Sequence, residues 1–310
     1  MQGILFQKSF HWLKQFVVDP EYKFTQILLR FIKPMFIPDH MWVKYEFRYT
    51  FGYSLNLRTP KTFNEKLNWM KLYDRNPLYT ILVDKYAVKQ YVAKIIGDRY
   101  IIKTFKVYNN ADDIHLDELP SEFVLKCTHD SGSVVICRDK NNFDLATAKI
   151  KLQGCLNFDF YKKHREWPYK NVPRRIIAEE YLNTQGKDLQ DYKFFCFDGQ
   201  VVYYKIDFDR FSMHGANYYD RAGNLMPFYE SICPNNPNRV FLRQNIISKM
   251  IELAECLSNG FSFVRIDLYY YEDKIFFGEF TFIPMAGLGP IVPMEWDRIL
   301  GNKMNLRKIK

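Results

Sequence analysis

The sequence predicts an α+β fold with mostly antiparallel sheets. Apolar residues recur at helical spacing in the N-terminal part, and from residue 122 their period changes to that of strands. Several of the strand-like runs are joined by short turns, which is typical of antiparallel pairs. The chain has 310 residues, of which 47% are hydrophobic and 25% charged, so we expect one large domain or two intermeshed domains.

The first predicted region is helical and covers residues 1–60. Large apolar side chains alternate with Lys and Arg in residues 4–18 and 24–37, until Pro34 and Pro38 break the pattern. We expect these helices to pack on the core. The alternative is a basic amphipathic helix that rests on an anionic membrane.

Two helices are predicted in the next segment, residues 61–118. Thr62-Phe63-Asn64-Glu65 is a capping box that opens a helix through about Tyr73. A second helix is predicted from about Thr80 to Ile96, because its apolar residues recur at helical spacing. Gly97 suits the left-handed position after that helix.

Two α+β units follow, residues 119–183 and 184–310. The smaller unit has predicted strands at 122–127, 133–138 and 175–182 and a helix over about 144–156. The larger unit has predicted strands at 192–197, 201–207, 262–271 and 274–282 and a helix at about 244–258. Asp198-Gly199 and Glu272-Asp273 are its predicted hairpin turns.

The net charge indicates which partners to expect, and the cysteines indicate the cellular location. The formal net charge of +9 favours anionic partners, but the chain has no long Lys/Arg run and no nucleic-acid reader motif, so nucleic acid is not expected. None of the six cysteines forms a C-x-x-C pair, which favours reduced thiols and a cytoplasmic location. Neither a secretory signal nor a bilayer-spanning apolar run is predicted.

Arg265, Asp267 and Glu279 form the most informative pattern. A tight turn between two strands is expected to bring Asp267 and Glu279 together, inside strongly apolar surroundings. Two carboxylates beside phosphate oxygens are a usual way to hold Mg²⁺, and Arg265 offers a fixed fork of donors to phosphate. The alternative is an ordinary hairpin whose outward-facing carboxylates pair with Arg265.

Other segments point weakly to a phosphate site. Lys126 ends an apolar strand before the small polar loop His129–Ser133, whose backbone N–H groups could meet phosphate oxygens. An exposed Lys beside a plain hairpin loop is the alternative. Asp84-Lys85 is expected on a helix, where a solvated face is the simpler interpretation, and Glu179–Leu182 is expected at a strand end.

The order of these segments resembles the ATP-grasp superfamily, and more closely the TupA-like ATP-grasp family, named for teichuronopeptide biosynthesis. The resemblance covers about residues 50–290. The matching stretches are Lys61-Thr62-Phe63-Asn64-Glu65-Lys66-Leu67, Asp84-Lys85-Tyr86-Ala87-Val88, Phe123-Val124-Leu125-Lys126-Cys127 with the His129–Gly132 loop, Asp191-Tyr192-Lys193-Phe194 and Gly278-Glu279-Phe280-Thr281.

The resemblance implies an ATP-grasp fold, in which two α+β subdomains with mostly antiparallel sheets clasp ATP, and it implies Mg²⁺ and ATP as cofactors. Its implied phosphate-binding residues are Lys85, Lys126 and the loop residues His129, Ser131, Gly132 and Ser133. Its implied adenine pocket is Glu179, Glu180, Tyr181 and Leu182, with Asp191 on the ribose and Lys193 near the phosphates. Its implied magnesium ligands are Asp267, Glu279 and Thr281, with Arg265 stabilising an acyl-phosphate.

Two positions depart from the family pattern. Thr281 stands where superfamily members usually carry Asn, although a hydroxyl can still ligate Mg²⁺. Asp130 stands in the phosphate loop where many relatives carry Gly, and its carboxylate would repel phosphate unless it points away or meets a cation.

The activity that the resemblance implies is ATP-dependent, ADP-forming ligation of a carboxylate to an amine through an acyl-phosphate. The expected substrates are an amino acid or amine and a uronic acid or glycan carboxylate of a surface polysaccharide, including lipid-linked or nucleotide-linked glycans. Peripheral contact with the inner membrane face is compatible with the positive charge.

Two alternatives stay open at this point. Asp207-Phe208-Asp209 matches the D-x-D letters of a sugar-nucleotide site, so a glycosyltransferase of capsule or O-antigen biosynthesis is the second interpretation. A non-catalytic basic protein at a membrane surface is the third.

Overall fold

The computed structural model describes residues 20–29, 31–184, 189–208, 214–231, 233, 235–239 and 244–306. Within them, helices pack around a four-stranded and a five-stranded sheet, and every strand pair in both sheets is antiparallel. The prediction of an α+β fold with antiparallel sheets is confirmed. The predicted helical segment 4–18 lies outside the described residues.

The described N-terminal region contains helices α1 (Pro20–Leu28) and α2 (Asp39–Phe51). The fully buried guanidinium of Arg165 fastens it to the middle of the chain. That guanidinium donates to the Pro34 carbonyl at 2.7 Å and pairs with Asp39 at 2.9 Å. Among the described residues, no helix is both long and apolar enough to cross a lipid bilayer.

Helix α3 (Phe63–Tyr73) begins at the predicted capping box. The Thr62 hydroxyl accepts from the Glu65 backbone N–H at 3.2 Å, and the Glu65 carboxylate accepts from the Thr62 N–H at 3.1 Å. Because both reciprocal bonds are present, the predicted start of this helix is confirmed.

The predicted helix over residues 80–96 is wrong, because the chain forms two helices here, α4 (Leu78–Val83) and α5 (Ala87–Ile96). The Asp84 carboxylate accepts from the backbone N–H groups of Tyr86 and Ala87, which interrupts the first helix and starts the second. Asp84 and Lys85 therefore lie in a break between helices. Gly97 has φ +106° and ψ 154°, so it is not in the predicted left-handed helical conformation.

The four-stranded sheet has the order β1-β4-β2-β3. Its strands are β1 (Thr104–Tyr108), β2 (Phe123–Cys127), β3 (Val135–Cys137) and β4 (Ile176–Glu179). Helix α6 (Leu145–Asn157) covers one face, and a four-residue helix α7 (Tyr161–His164) precedes β4. Strand β1 was not predicted, and β4 ends before Tyr181 and Leu182.

The five-stranded sheet has the order β10-β9-β5-β6-β7. Its strands are β5 (Asp191–Phe197), β6 (Gln200–Phe208), β7 (Gly215–Asp220), β9 (Phe263–Tyr271) and β10 (Lys274–Thr281). A two-stranded sheet pairs β8 (Tyr229–Glu230) with β11 (Ile291–Val292). Both predicted hairpin turns form, and their four residues all have positive φ.

Two further helices complete the larger unit. Helix α8 (Gln244–Ser258) has the predicted bounds and buries its apolar stripe against the large sheet. Helix α9 (Glu295–Lys303) was not predicted, and it packs on α3. Since α8 covers one face of the large sheet, polar side chains of that sheet gather on the opposite face.

Candidate active site

Five side chains stand in one row across the large sheet. In strand order they are Glu279, Asp267, Lys193, Lys205 and Tyr218, each paired in register with the next. The row therefore joins two carboxylates to two ammonium groups across neighbouring strands.

A bulge at Gly278 places Glu279 in this row. Phe277 pairs with Leu268 and Glu279 with Asp267, so Gly278 is the extra residue. Without the bulge, Glu279 would pair with Ile266 and point to the other face, since side chains alternate along a strand. An added Cβ at Gly278 would lie 3.0 Å from the Asp267 carbonyl oxygen, which explains glycine at this position.

Arg265 lies between the two carboxylates. Its Nε and Nη2 donate to the two oxygens of Asp267 at 2.7 Å each, and Nη2 also donates to Glu279 at 2.9 Å. The Thr281 hydroxyl donates to the same Glu279 oxygen at 3.0 Å. Asp267 is buried, whereas the Glu279 side chain is 40% exposed.

The donor set at this position fits Mg²⁺. Burial opposes ionisation of Glu279, but Arg265, Lys85 and Lys193 outweigh it and hold its pKa below the ordinary value. Two ionised carboxylates and a hydroxyl on adjacent strands are hard oxygen donors of the kind that Mg²⁺ prefers. The exposed Glu279 carboxylate leaves access for a nucleotide to complete the coordination.

Lys193 connects these carboxylates to a second acidic group. Its ammonium binds Asp191, lies 3.1 Å from Asp267 and lies 3.4 Å from Asp207. Asp191, the predicted ribose ligand, is therefore a direct partner of Lys193. Lys205 extends the network, because it lies 3.3 Å from Asp207.

Three lysines face this group from the direction of the four-stranded sheet. Lys126 and Lys89 both bind the Glu179 carboxylate, Lys89 at 2.5 Å. Burial opposes ionisation of Glu179, but the two lysines outweigh it and lower its pKa. Lys85 is partly buried, and desolvation lowers its pKa, whereas the Glu279 charge opposes that shift.

A narrow cleft with a cavity volume of about 20 Å³, partly open to solvent, lies between the two sheets at this point. It is lined by Lys85, Val88, Lys89, Ile101, Ile102, Lys126, Glu179, Tyr269, Phe277 and Gly278. The lining joins cationic side chains to aromatic and aliphatic walls, which is the chemistry that a nucleotide needs.

The loop after β2 is tied to Lys85. The Lys85 ammonium donates to the Asp130 carbonyl, and its backbone N–H donates to the Thr128 carbonyl at 3.1 Å. The Asp130 carboxylate is 5% exposed and accepts from the Ser133 hydroxyl at 2.6 Å. It points into its own loop, which answers the concern that it would repel phosphate.

The predicted phosphate-loop residues divide into two groups. His129 and Ser133 are buried, His129 Nε2 lies 3.4 Å from the Phe158 carbonyl oxygen, and Ser133 accepts from the Cys127 N–H at 2.8 Å. Ser131 and Gly132 are exposed, and Gly132 has φ +102°. Their backbone N–H groups are the part of the loop that a ligand can reach.

The predicted adenine-pocket residues follow directly on β4. Glu180 is exposed, and its N–H donates to the Lys103 carbonyl at 2.9 Å. Tyr181 accepts from Arg138 at 3.2 Å, and Leu182 is buried. Glu179 lines the cleft, while the contribution of the other three to an adenine pocket stays a prediction.

Sequence reasoning missed several members of this site. Lys89 stands four residues after Lys85, a spacing that could have indicated it. Lys205 faces Lys193 in the β5–β6 hairpin, but a bulge between the turn and this pair hides that register in the sequence.

Two titratable groups with shifted pKa values, Glu166 and Lys71, were also missed. Burial raises the pKa of Glu166 to about 7 and lowers the pKa of Lys71 to about 8. The Glu279 charge contributes to the Glu166 shift. Perturbed titratable groups of this kind concentrate at functional sites.

Asp207, one half of the D-x-D letters, is a buried member of the same network. It pairs with Lys193 and Lys205 and accepts from His214 at 3.0 Å. Asp209, the other half, lies outside the described residues.

Several solved structures are similar to part of this chain. D-Alanine–D-alanine ligase from Helicobacter pylori is 13% identical over 78% of this chain and 69% of its own, with a TM-score of 0.41. The RimK domain ATP-grasp protein from Sphaerobacter thermophilus is 13% identical over 75% and 70%, with a TM-score of 0.40. The ATP-grasp ligase PsnB, complexed with a phosphomimetic precursor variant, Mg and ADP, is 10% identical over 77% and 66%, with a TM-score of 0.41.

The chain spans 54% of another PsnB structure and 57% of D-alanine–D-alanine ligase from Bacillus anthracis. No curated protein matches it.

The family comparison covers most of the chain. The model described as TupA-like ATPgrasp matches residues 65–305, which include both sheets, the Asp267–Glu279 pair and the lysines opposite it. The chain therefore belongs to the TupA-like ATP-grasp family.

Proposed function

We propose that this protein is an ATP-dependent carboxylate–amine ligase that works through an acyl-phosphate. The observation that carries the proposal is the cross-strand pair of Asp267 and Glu279 beside Lys85, which together with Lys126 lines the cleft between the sheets. A triphosphate with a divalent cation needs anionic and cationic groups at these two places.

The cationic residues and the oxygen donors have different roles in this proposal. Lys85 and Lys126 bind the phosphates of ATP, while Asp267, Glu279 and Thr281 hold Mg²⁺, which neutralises phosphate charge when bound. The substrate carboxylate attacks the γ-phosphate in line, giving an acyl-phosphate and ADP. Positioning and electrostatics account for the rate, since no side-chain nucleophile is needed.

Arg265 has a second task in this proposal. Its guanidinium is held by Asp267 and Glu279, so its donors are fixed in direction. From there it stabilises the negative charge of the acyl-phosphate and of the tetrahedral intermediate that the amine forms. Lys193 holds Asp267 in place and lies near the phosphates.

We further propose that the enzyme joins an amino acid or amine to a uronic acid or glycan carboxylate during surface polysaccharide biosynthesis in the cytoplasm. The family and the net charge of +9, which suits an acidic glycan, support this assignment. Glycosyl transfer through Asp207 is less well supported, because two lysines and His214 already surround that carboxylate.

A hydroxylamine screen tests the activity. The protein is incubated with ATP, Mg²⁺, hydroxylamine and mixtures of uronic acids, their short oligosaccharides and amino acids, and both ADP and hydroxamate are measured. We expect ADP release coupled to hydroxamate, because hydroxylamine intercepts an activated acyl group.

The matched variants are Glu279→Ala and Glu252→Ala, the second on the exposed surface of α8. We expect Glu279→Ala to lose on the order of 100-fold or more of the turnover and Glu252→Ala to keep it. UDP release from a UDP-sugar, with no ADP formed, would support a transferase instead. Full activity of Glu279→Ala would refute the metal assignment.

A further inference from the structure

We propose that His214, held by Asp207, is the general base that takes the proton from the attacking amine. The inference rests on the proposed function, because it assigns a residue to the second half of that reaction. It also locates the amine site beside β6 and β7, away from the lysines of the four-stranded sheet.

Asp207 and His214 form an oriented pair. The His214 Nε2 lies 3.0 Å from the Asp207 Oδ1, and the carboxylate, with its side chain 2% exposed, can only accept. Nε2 therefore donates its proton to Asp207, which leaves Nδ1 as the ring nitrogen with a lone pair. A buried carboxylate that fixes the tautomer of an imidazole is the arrangement that a histidine base needs.

His214 is accessible where Asp207 is not. Its side chain is 40% exposed, so an incoming amine can reach the ring. Residue 214 directly precedes β7, and Gly215 pairs with Phe208 next to Asp207. The ring is thus held by the sheet while it faces solvent.

One lysine connects this pair to the acyl-phosphate site. Lys193 lies 3.4 Å from the Asp207 Oδ2 and 3.1 Å from Asp267, which is the buried carboxylate of the predicted metal site. One oxygen of Asp207 therefore contacts His214, and the other contacts Lys193. Both contacts lie on one face of one sheet, and Lys193 on β5 stands between Asp267 on β9 and Asp207 on β6.

The charged groups around His214 come from three elements. Asp207 on β6 faces Nε2, and the Cys233 sulfur after β8 lies 3.6 Å from Nδ1. Behind Asp207 stand Lys193 on β5 and Lys205 on β6, and Lys205 is balanced by Glu230 at 2.8 Å.

The substrate ammonium gives one proton to Nδ1 of His214 and becomes a free amine. Its lone pair attacks the carbonyl carbon of the acyl-phosphate, so a C–N bond forms. The C–O bond to the phosphate then breaks, and phosphate leaves with the electron pair. The second nitrogen-bound proton leaves with phosphate or solvent, and His214 releases its own proton to water.

Hydroxylamine separates the two halves of the reaction, because it is largely unprotonated at neutral pH and needs no base. His214→Ala is compared with wild type using D-glucuronate, D-galacturonate and their short oligosaccharides as acids. One series contains hydroxylamine and the other a mixture of the common L-amino acids. We expect unchanged hydroxamate formation and a loss of about 100-fold in amide formation, the usual contribution of a general base. Added imidazole should restore part of the amide formation.

Two further variants complete the design. His115→Gln changes an exposed histidine after β1 and should leave both series unchanged. Cys233→Ser should keep amide formation, because the base needs Nδ1 and not the thiol. If Cys233→Ser loses as much as His214→Ala, the three side chains form a thiol or metal site and the proposal is wrong.

Failure of the inference and failure of the proposed function give different results. If wild type forms no hydroxamate with any acid, the ligase proposal fails and this inference fails with it. If wild type forms hydroxamate and His214→Ala loses hydroxamate and amide equally, only the base assignment is refuted. Far-ultraviolet circular dichroism of His214→Ala checks that the variant is folded.

Discussion

Single charged side chains at this site are each held by several partners. Glu179 meets Lys89 and Lys126, and the Lys193 ammonium meets three carboxylates. Burying an ion is unfavourable, and removing one partner leaves the others uncompensated. Each of these residues therefore affects stability as well as chemistry. Both the free energy of unfolding and the activity must be measured for each variant.

Glu179→Gln should lower the free energy of unfolding at neutral pH. The two lysines lose their counter-charge but keep 15% and 21% exposure, so we expect roughly 2 kcal/mol, less than for a fully buried pair. The pKa of Glu179 is lowered from 4.5, so its contribution is present above that pH. The contribution is lost as the pH falls through the folded-state pKa.

Urea unfolding of wild type and Glu179→Gln at neutral pH and at several values below 4.5 measures this difference, which should shrink as the pH falls. Glu118→Gln is the control, because its pair with Lys106 is exposed on both sides and should change stability by less than about 0.5 kcal/mol. A difference for Glu179→Gln that stays constant with pH would argue against ionisation as its cause.

At the scale of elements, the sequence predicts those helix starts, turns and buried faces that depend on neighbouring residues alone. The capping box at Thr62, the turns with positive φ and the apolar stripe of α8 each need only neighbouring residues, and each is found. Strand β1 was missed because it is an edge strand without alternating burial. The break at Asp84 was missed because one carboxylate that caps a new helix overrides an apolar helical period.

Helix α9 was missed for a reason of packing. It contains Gly301 and Asn302, both poor helix formers, and its position depends on α3. An added Cβ at Gly301 would lie 2.2 Å from the Lys61 carbonyl oxygen and 2.7 Å from the Thr62 carbonyl carbon. Glycine is thus required by a contact with residues far away in sequence. No local sequence pattern predicts that contact.

Gly301→Ala should therefore destabilise the protein. The clash is with backbone atoms at the start of α3, so we expect a loss of about 1–3 kcal/mol. Gly154→Ala is the matched control in α6, where an added Cβ meets no atom within 4 Å. That variant should gain up to about 0.8–1 kcal/mol, because alanine is the better helix former.

Denaturant unfolding of both variants gives the comparison. If Gly301→Ala and Gly154→Ala change the free energy of unfolding equally, then α9 does not approach α3 as closely as it does in the structure.

At the scale of the whole molecule, the site exists only when both sheets are in place. Lys85 and Glu279 are separated by most of the chain, and the bulge at Gly278 decides which face Glu279 uses. The order of motifs along the sequence predicts which residues meet, through a resemblance to a family. It does not predict partners such as Lys205 and His214, whose position follows from strand register.

Mg-ATP should hold the two sheets together and stabilise the fold. A ligand that binds only the folded state at 100 times its Kd adds about 2.7 kcal/mol to the free energy of unfolding. Lys126 binds Glu179, and the phosphates of ATP offer it a second anionic partner. Thermal unfolding with Mg-ATP, with ATP plus EDTA and with UDP-glucose measures the effect.

We expect the largest stabilisation with Mg-ATP and none with UDP-glucose. Lys126→Met should lose much of the Mg-ATP effect, because the ammonium that meets the phosphates is gone. Lys106→Met should keep the effect, because Lys106 lies on β1 of the same sheet and its partner is the exposed Glu118. Stabilisation by UDP-glucose alone would reverse the assignment, since the nucleotide site would then belong to a sugar donor and the cleft at Lys126 would need another ligand.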